Sequence, residues 1–524
     1  MAMEISMKAS DKDRRIIYKR LADKSFLRDN PTSISELEGN KTPSKDNKKK
    51  FDLKKFSKLA AKVILLLVLI ACGYYAYRVF SFTNNIGLKI KPQDIITGGK
   101  KDPELKKDST GKYTNVLLVG IDSRGDKSKL QNTDTMIIAS YNYDTGNTVM
   151  YSIPRDLYVE IPAEPKGYFQ KINAMYATGE KRSKGGGFAF LEKAIKNTTG
   201  LEIQYHAMID LQGFKKIIDT LGGVTVNVEN SFTDTCYPLD GTEKTKYFCA
   251  LLPGMAQTIS FKEGPQTMNG TVALQYARSR HAAGTEGSDF ARGRRQQRVL
   301  IAVKDKVLSS GTLLNPQKVL EILDALEKNL TLSTFTTEEI QAAINIGLKQ
   351  KENPGKVFSF VLEPSIAGGR LLMGGSGLRS NLPGFSPQLY TVQSVDGVVP
   401  TYTELIKFVN SVQKEPQLFK EDPVIRVYDA GITYAQAQKV TTELKSKYPY
   451  LNILFMGTLY SDKTGTVVYS KEADKFQTSI NTFAGYFKTT STTKPDYITS
   501  DLNGEDLTIL LGKTATETQP SNPQ

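Results

Sequence analysis

The run Val116-Leu-Leu-Val-Gly-Ile121 constrains the fold more than any other stretch of this 524-residue chain. It carries no polar side chain, so a strand made from it has two apolar faces and must be covered on both. Two more strand-like runs follow, Thr135-Met-Ile-Ile-Ala-Ser140 and Thr148-Val-Met-Tyr-Ser-Ile153. Helical patterns come after them, which predicts an α/β domain around a buried sheet. The first run opens into Asp122-Ser-Arg-Gly-Asp126, the third opens into Pro154-Arg-Asp156, and Asp134 stands just before the second. Strand ends are where α/β folds assemble their sites.

Downstream, periodicity predicts a helix over 188–199 closed by Gly200, a strand over 205–209 and a helix over 211–221. A strand over 224–228, a helix over 268–276 and an arginine-rich helix over 289–309 come next. Helices over 316–329 and 338–350 and a strand over 357–361 complete a domain of residues 113–363. Residues 364–420 read as a linker, rich in Gly, Ser and Pro and with some order up to position 400. A smaller α/β unit follows over 421–513, with strands at 424–428, 452–456, 466–469 and 506–511 and helices at 434–447 and 473–487. Residues 514–524 form a polar tail expected to be disordered.

A net charge of +14 suggests nucleic acid until it is located: residues 1–62 hold 17 Lys/Arg against 9 Asp/Glu, more than half of the surplus. Residues 1–58 therefore read as a mostly disordered basic tail, and nucleic acid is not an expected partner. Residues 59–80 are a 22-residue run with the uncharged centre 63–77, long enough to span a bilayer once Lys62 and Arg78 snorkel. The positive tail stays in the cytoplasm, Tyr74, Tyr75 and Tyr77 sit at the far interface, and the body is expected outside the cell membrane. Residues 81–112 then form a stalk. A cleaved signal is disfavoured by so long an n-region, as is a lipoprotein box at Leu69-Ile-Ala-Cys72.

Cys236 and Cys249 lie in the segment expected outside, where disulfides persist, so they are a candidate pair; spacing alone does not establish the bond. With no third cysteine outside and His206 and His281 the only histidines, a zinc site or a Cys-His or Ser-His-Asp hydrolase is poorly supported. Gly512-Lys-Thr514 ends like a P-loop, but Leu507 stands where its first glycine belongs.

The candidate site collects Asp122, Arg124, Asp134, Arg155, Asp156, Arg278, Arg280, Arg292, Arg295 and Gln296. On a helix, Arg292, Arg295, Gln296 and Val299 share one stripe, with Arg294 and Arg298 on a second row. Arg278 and Arg280 sit two apart, so an extended segment points them the same way. Guanidinium forks suit a diphosphate, and carboxylates with only oxygen companions suit Mg²⁺ or Mn²⁺. Together they are the parts of metal-assisted phosphoryl transfer. Each residue also has a plain structural alternative: a turn cap for Asp122 or Asp134, an ion pair for Arg155-Asp156, a surface charge for Arg292 or Arg295.

The ordered set is more specific. Asn-Val-Leu-Leu-Val-Gly-Ile-Asp-Ser-Arg at 115–124, Thr-Asp-Thr-Met at 133–136, Ser-Ile-Pro-Arg-Asp at 152–156 and Lys-Ile-Asn-Ala at 171–174 stand in one order. Leu-Gly-Gly-Val at 221–224, Ala-Leu-Gln-Tyr-Ala-Arg-Ser-Arg at 273–280 and Ser-Asp-Phe-Ala-Arg at 288–292 continue it. In this order the chain resembles the extracytoplasmic domain of the LytR-CpsA-Psr family over roughly residues 112–362. Residues 421–513 resemble, more faintly, the C-terminal domain appended to some members.

The resemblance implies a mixed central β-sheet flanked by helices, a smaller C-terminal α/β domain and one N-terminal transmembrane helix. It also implies a Mg²⁺-dependent phosphotransferase that moves a glycopolymer from a polyprenyl-diphosphate carrier onto peptidoglycan. By position, Asp122 and Asp134 would hold the metal. Arg124, Arg155, Arg278, Arg280, Arg292, Arg295 and Gln296 would grip the diphosphate, and Asp156 would orient an arginine or help deprotonate the acceptor hydroxyl. Three departures stand out. Asn132-Thr-Asp-Thr135 replaces the family's Arg-Ser-Asp-Thr, Asp429-Ala-Gly431 replaces its Asn-Gly turn, and the Cys236–Cys249 loop looks like an insertion. The missing arginine favours the alternative of a non-catalytic envelope scaffold that binds lipid-linked diphosphate or anionic wall polymer. The intact Asp122/Asp134 pair argues against it.

Overall fold

A computed structural model describes residues 103–121, 132–162, 168–239, 256–309, 321–322, 329–365, 371–375, 388–391, 402–499 and 504–516. The expected basic tail and 59–80 span, most of the 316–329 helix, and Asp122, Arg124 and Cys249 lie outside the described residues. Among the described residues no helix is long and apolar enough to cross a membrane.

Strands β1 (Tyr113–Ile121), β2 (Thr133–Asn142), β3 (Thr148–Ser152), β4 (Tyr158–Glu160) and β5 (Phe169–Lys171) come first. Helices α1 (Met175–Arg182) and α2 (Gly187–Thr199), strand β6 (Tyr205–Asp210) and helix α3 (Leu211–Thr220) follow. Strands β7 (Val224–Val228), β8 (Phe232–Pro238), β9 (Ala256–Phe261) and β10 (Gly264–Met268) lead into helices α4 (Gly270–Arg278) and α5 (Asp289–Ser309). Strand β11 (Leu330–Leu332), helix α6 (Thr337–Glu352) and strand β12 (Val357–Val361) close the domain.

The central sheet runs β11-β6-β1-β2-β3-β12. It is mixed: β1 pairs parallel with β6, β3 pairs parallel with β12, and the remaining neighbours are antiparallel. The apolar run at 116–121 lies in its interior, as its lack of polar side chains requires. Leu117, Val119, Ile138 and Tyr151 share a core with Leu191 and Ile195 of α2. Gly200 ends α2 in the left-handed region at φ 77°, a conformation that costs a glycine no Cβ clash. A second core gathers Val224, Val226, Phe261, Tyr276 and Val299 from β7, β9, α4 and α5. Met268 ends a strand rather than starting a helix, because the Asn269 side chain accepts the Val272 N–H at 2.9 Å and caps α4 just beyond it.

The interval read as a linker holds ordered structure: strands β13 (Leu372–Gly375) and β14 (Gln388–Thr391) and helices α7 (Thr403–Lys414) and α8 (Pro416–Glu421). Leu405, Phe408, Val409 and Val412 of α7 follow helical spacing and join the same core as Leu117 and Tyr151. Polar anchors cross that contact. Tyr151 Oη donates to the Val409 carbonyl at 3.3 Å, Tyr113 Oη to the Gln413 carbonyl at 3.3 Å, and Gln413 Nε2 to Ser140 Oγ at 2.9 Å.

The C-terminal lobe comprises β15 (Val424–Asp429), α9 (Tyr434–Lys447), β16 (Asn452–Thr458), β17 (Val467–Tyr469), α10 (Gln477–Tyr486) and β18 (Leu507–Leu511). Its sheet order is β16-β15-β18-β17, with only β17 antiparallel to its neighbour. The Asp429 carboxylate accepts the N–H groups of Gly431 and Ile432 at 3.2 and 3.0 Å, so an Asx turn does the work expected of Asn-Gly. Gly512-Lys-Thr514 leads only into a 3-10 turn over Lys513–Thr516, not into a phosphate-binding helix.

Candidate functional site

Asp134 owes its placement to a break in pairing. Gly120 pairs with Thr135 and Ile121 with Thr133, so Asp134 is the extra residue of a bulge between β1 and β2. A bulge re-aims a side chain at a sheet edge, and the Asp134 side chain is 42% exposed. The turn after β3 is closed by the Leu157 N–H donating to the Pro154 carbonyl at 3.0 Å. It presents Arg155, whose Nη1 donates to Asp134 Oδ1 and whose Nε donates to Asp289 Oδ2, both at 3.1 Å. Asp156 lies 3.8 Å from Arg155 Nε and accepts from Lys171 Nζ at 2.7 Å.

Asp289 opens α5, where the helix dipole favours a carboxylate. Its Oδ1 is 3.2 Å from Arg292 Nη1, so it bridges Arg155 and Arg292. Burial works against its charge, but Arg292, Arg155 and Arg280 outweigh burial and hold the carboxyl below its ordinary range. Burial also opposes the Arg155 charge, yet Asp289, Asp134 and Asp156 push that guanidinium up. Arg292 is only 9% exposed, and burial together with Arg155 and Arg280 pulls it down against Asp289 and Asp134. Three arginines are thus held close enough to repel one another around shared carboxylates.

Arg280 reaches this cluster from a rigid support. Asp234 of β8, fully buried, accepts Ser279 Oγ at 2.7 Å and the N–H groups of Arg280 and His281 at 3.2 Å. Its other oxygen takes the Cys236 N–H at 2.9 Å. Cys236 is disulfide-bonded. Burial raises the Asp234 pKa, but these donors prevail and hold it below the usual value. Arg278 ends α4 just upstream, and Gln296 Nε2 donates to the Ala277 carbonyl at 3.3 Å.

Arg295 requires a correction. The expected stripe exists, but it faces inward: Arg295 and Val299 are 0% exposed. The Arg295 guanidinium donates to the carbonyls of Tyr276, Ser279 and Glu286, pairs with Glu286 Oε2 at 2.6 Å and lies 4.7 Å over the Phe232 ring. It braces the 276–286 segment that carries Arg280 and leaves no face for a ligand. On the second row, Arg294 binds both oxygens of Glu363 at 3.0 Å and Arg298 pairs with Glu229.

Sequence reasoning passed over Lys171 and Asp289, although each lies within an ordered motif it singled out, and over Asp234 and Glu286, for which it held no signal. Among the described residues no group of three or more His, Cys, Asp or Glu is set to hold a metal. Asp134 still offers an oxygen: Oδ1 meets Arg155, and Oδ2 has no partner among the described residues.

The model of the LytR_cpsA_psr family matches residues 79–357, more than half of the chain. The chain is 29% identical over 314 residues to the polyisoprenyl-teichoic acid–peptidoglycan teichoic acid transferase TagU of Oceanobacillus iheyensis, covering 57% of this chain and 86% of that protein. It is 32% identical over 212 residues to the regulatory protein MsrR of Staphylococcus aureus, covering 40% of this chain and 54% of that protein. The crystal structure of B. subtilis TagV is similar at 22% identity and a TM-score of 0.39, covering 58% of this chain and 96% of that one. With the family model spanning the motifs that supply Asp134, Arg155, Asp289 and Arg292, the chain belongs to the LytR-CpsA-Psr family.

Proposed function

We propose that the protein transfers a glycopolymer from a polyprenyl-diphosphate carrier to cell-wall peptidoglycan, leaving a phosphodiester. The observation that carries this reading is the chain Asp134–Arg155–Asp289–Arg292, paired at 3.1–3.2 Å, with the Arg280 charge acting on Asp289 and Arg292 from the neighbouring segment. Guanidinium groups that repel one another in the free protein gain most from a bound polyanion. In the transfer the acceptor hydroxyl attacks the phosphorus carrying the polymer, its bond to the bridging oxygen breaks, and prenyl phosphate leaves with the electron pair while the hydroxyl proton passes to that departing phosphate or to solvent. Charge growing on that phosphate meets N–H donors already oriented by Asp134, Asp156 and Asp289, so little reorganisation is needed. Asp156, held between Lys171 and Arg155, is assigned the orienting role rather than deprotonation of the acceptor.

Mg²⁺ is the metal we propose: Asp134 offers a hard oxygen at a half-exposed bulge, its Oδ2 without a partner among the described residues, and Asp122 would join it. When bound, the cation supplies positive charge at the diphosphate oxygens. Anchoring by residues 59–80, with the body outside the cytoplasm, belongs to the same proposal and keeps a membrane-borne donor beside the site. The test is prenyl monophosphate release by the full chain in detergent, from a polyprenyl-diphosphate oligosaccharide with peptidoglycan fragments. Release that needs Mg²⁺ and falls by at least about 100-fold in Arg155→Ala supports the enzyme. Tight binding without release favours the scaffold, the reading suggested by the exposed Asn132.

A further inference from the structure

We propose that Tyr402, at the head of α7, is a positioning residue for the Arg155–Asp156 turn, so that the segment after the catalytic domain completes the site. The kinetic consequence rests on the transferase reading; the structural one does not. Tyr402 Oη donates to the Tyr158 carbonyl at 3.0 Å. Burial pushes this phenol well up, so it remains a donor through the neutral range.

Tyr158 opens β4, two residues after Asp156, and stands opposite Lys171 in the antiparallel β4–β5 ribbon. Lys171 is the residue whose ammonium holds Asp156 at 2.7 Å. The same ribbon leads into the Ile172 N–H donating to the Leu157 carbonyl at 2.8 Å and the Asn173 N–H donating to the Arg155 carbonyl at 3.2 Å. With three residues per strand, β4–β5 is too short to hold its shape alone. It needs an outside fixture, and Tyr402 supplies one.

The fixture is itself rigid. Tyr113, Tyr151 and Gln413 tie α7 to the central sheet, and on its other side Tyr450 of the C-terminal lobe donates to the Glu404 carboxylate at 2.8 Å. A tyrosine on a mobile linker would lend β4 nothing. One on a helix fixed to both the sheet and the lobe sets where β4 lies, hence where Lys171 and Asp156 meet. Contiguity alone does not establish coupling, so the bond itself must be removed.

Tyr402→Phe in the full chain deletes only the hydroxyl. Turnover should fall about fivefold, the factor expected for one buried hydrogen bond, with KM for the donor unchanged. Amide exchange over β4 and β5 should quicken about fivefold while β1 and β18 exchange as in the unaltered chain. Tyr450→Phe, equally conservative, removes a bond to α7 from the lobe side while the Tyr113, Tyr151 and Gln413 ties to the sheet remain, and should leave exchange over β4 and β5 as it was. Unchanged exchange over β4 and β5 in Tyr402→Phe overturns the proposal, as does quickening spread evenly over the molecule. If the unaltered protein releases no prenyl phosphate, the transferase reading fails, and exchange alone decides whether Tyr402 holds β4.

Discussion

Replacing Arg295 by methionine should cost about 3–5 kcal/mol of folding free energy, the range for breaking one partner of a buried ion pair. The structure gives the reasons. Glu286 is buried and, among the described residues, would be left with Asn230 Nδ2, at 3.0 Å from Oε1, as its side-chain partner. The carbonyls of Tyr276, Ser279 and Glu286 would lose charged donors, each worth about 1.5–3 kcal/mol but not additive. Methionine replaces part of the packing against Phe232, which keeps the loss near the pair value. Against a total stability of about 5–15 kcal/mol, the variant should remain folded but stand close to its limit. Neutralising the stranded carboxylate in Arg295→Met/Glu286→Gln should recover about 2 kcal/mol. The chain has no tryptophan, so urea unfolding is best followed by far-UV circular dichroism. A loss below about 1 kcal/mol, combined with weakened inorganic pyrophosphate binding, would refute the bracing role and return Arg295 to the ligand.

Asp234 predicts an acid limb. Its folded pKa is held below the unfolded value, so its contribution is complete above about pH 4 and is lost as pH falls through the folded value. Asp289 shifts in the same direction, and Asp234→Asn should flatten the urea midpoint's dependence below about pH 4; identical slopes would count against it. Gln297 donates to the carbonyls of Met150 and Phe360 at 3.3 and 3.0 Å, so Gln297→Leu should cost about 1–3 kcal/mol in the same assay, and a neutral result would sink that bridge. Chelation should abolish prenyl phosphate release yet leave thermal unfolding in place, because Arg155 already holds Asp134; a melt that collapses with EDTA would contradict this.

Legibility in the sequence followed the physics of each element. The 434–447 helix was readable to the residue because Thr433 and Gln436 form a capping box and Ala437, Val440 and Leu444 keep helical spacing. The interior strands were readable because two apolar faces leave them no exposed position. Helix α7 carried the same kind of pattern in Leu405, Phe408, Val409 and Val412, but Gly-, Ser- and Pro-rich neighbours masked it. The stripe of Arg292, Arg295 and Val299 was correct as periodicity. Periodicity cannot say which way a stripe faces, and a charged stripe is ordinarily exposed. Asp234 was illegible because its meaning depends on Ser279, Arg280 and His281, which only the tertiary fold brings to β8.

The parallel pairing of β3 with β12 has a consequence for how the chain is made. Thr148 waits for Val357, about two hundred positions later, which at ribosomal speed is roughly 10–40 s. Through that interval β3 is the sheet's unfinished edge, and Tyr151 has neither Phe360 stacked at 6.2 Å nor the Val409 carbonyl to accept its hydroxyl. Until β12 emerges the nascent chain carries an edge open to pairing with another copy. Its yield on synthesis should depend more on chaperone supply than on the stability of the finished protein.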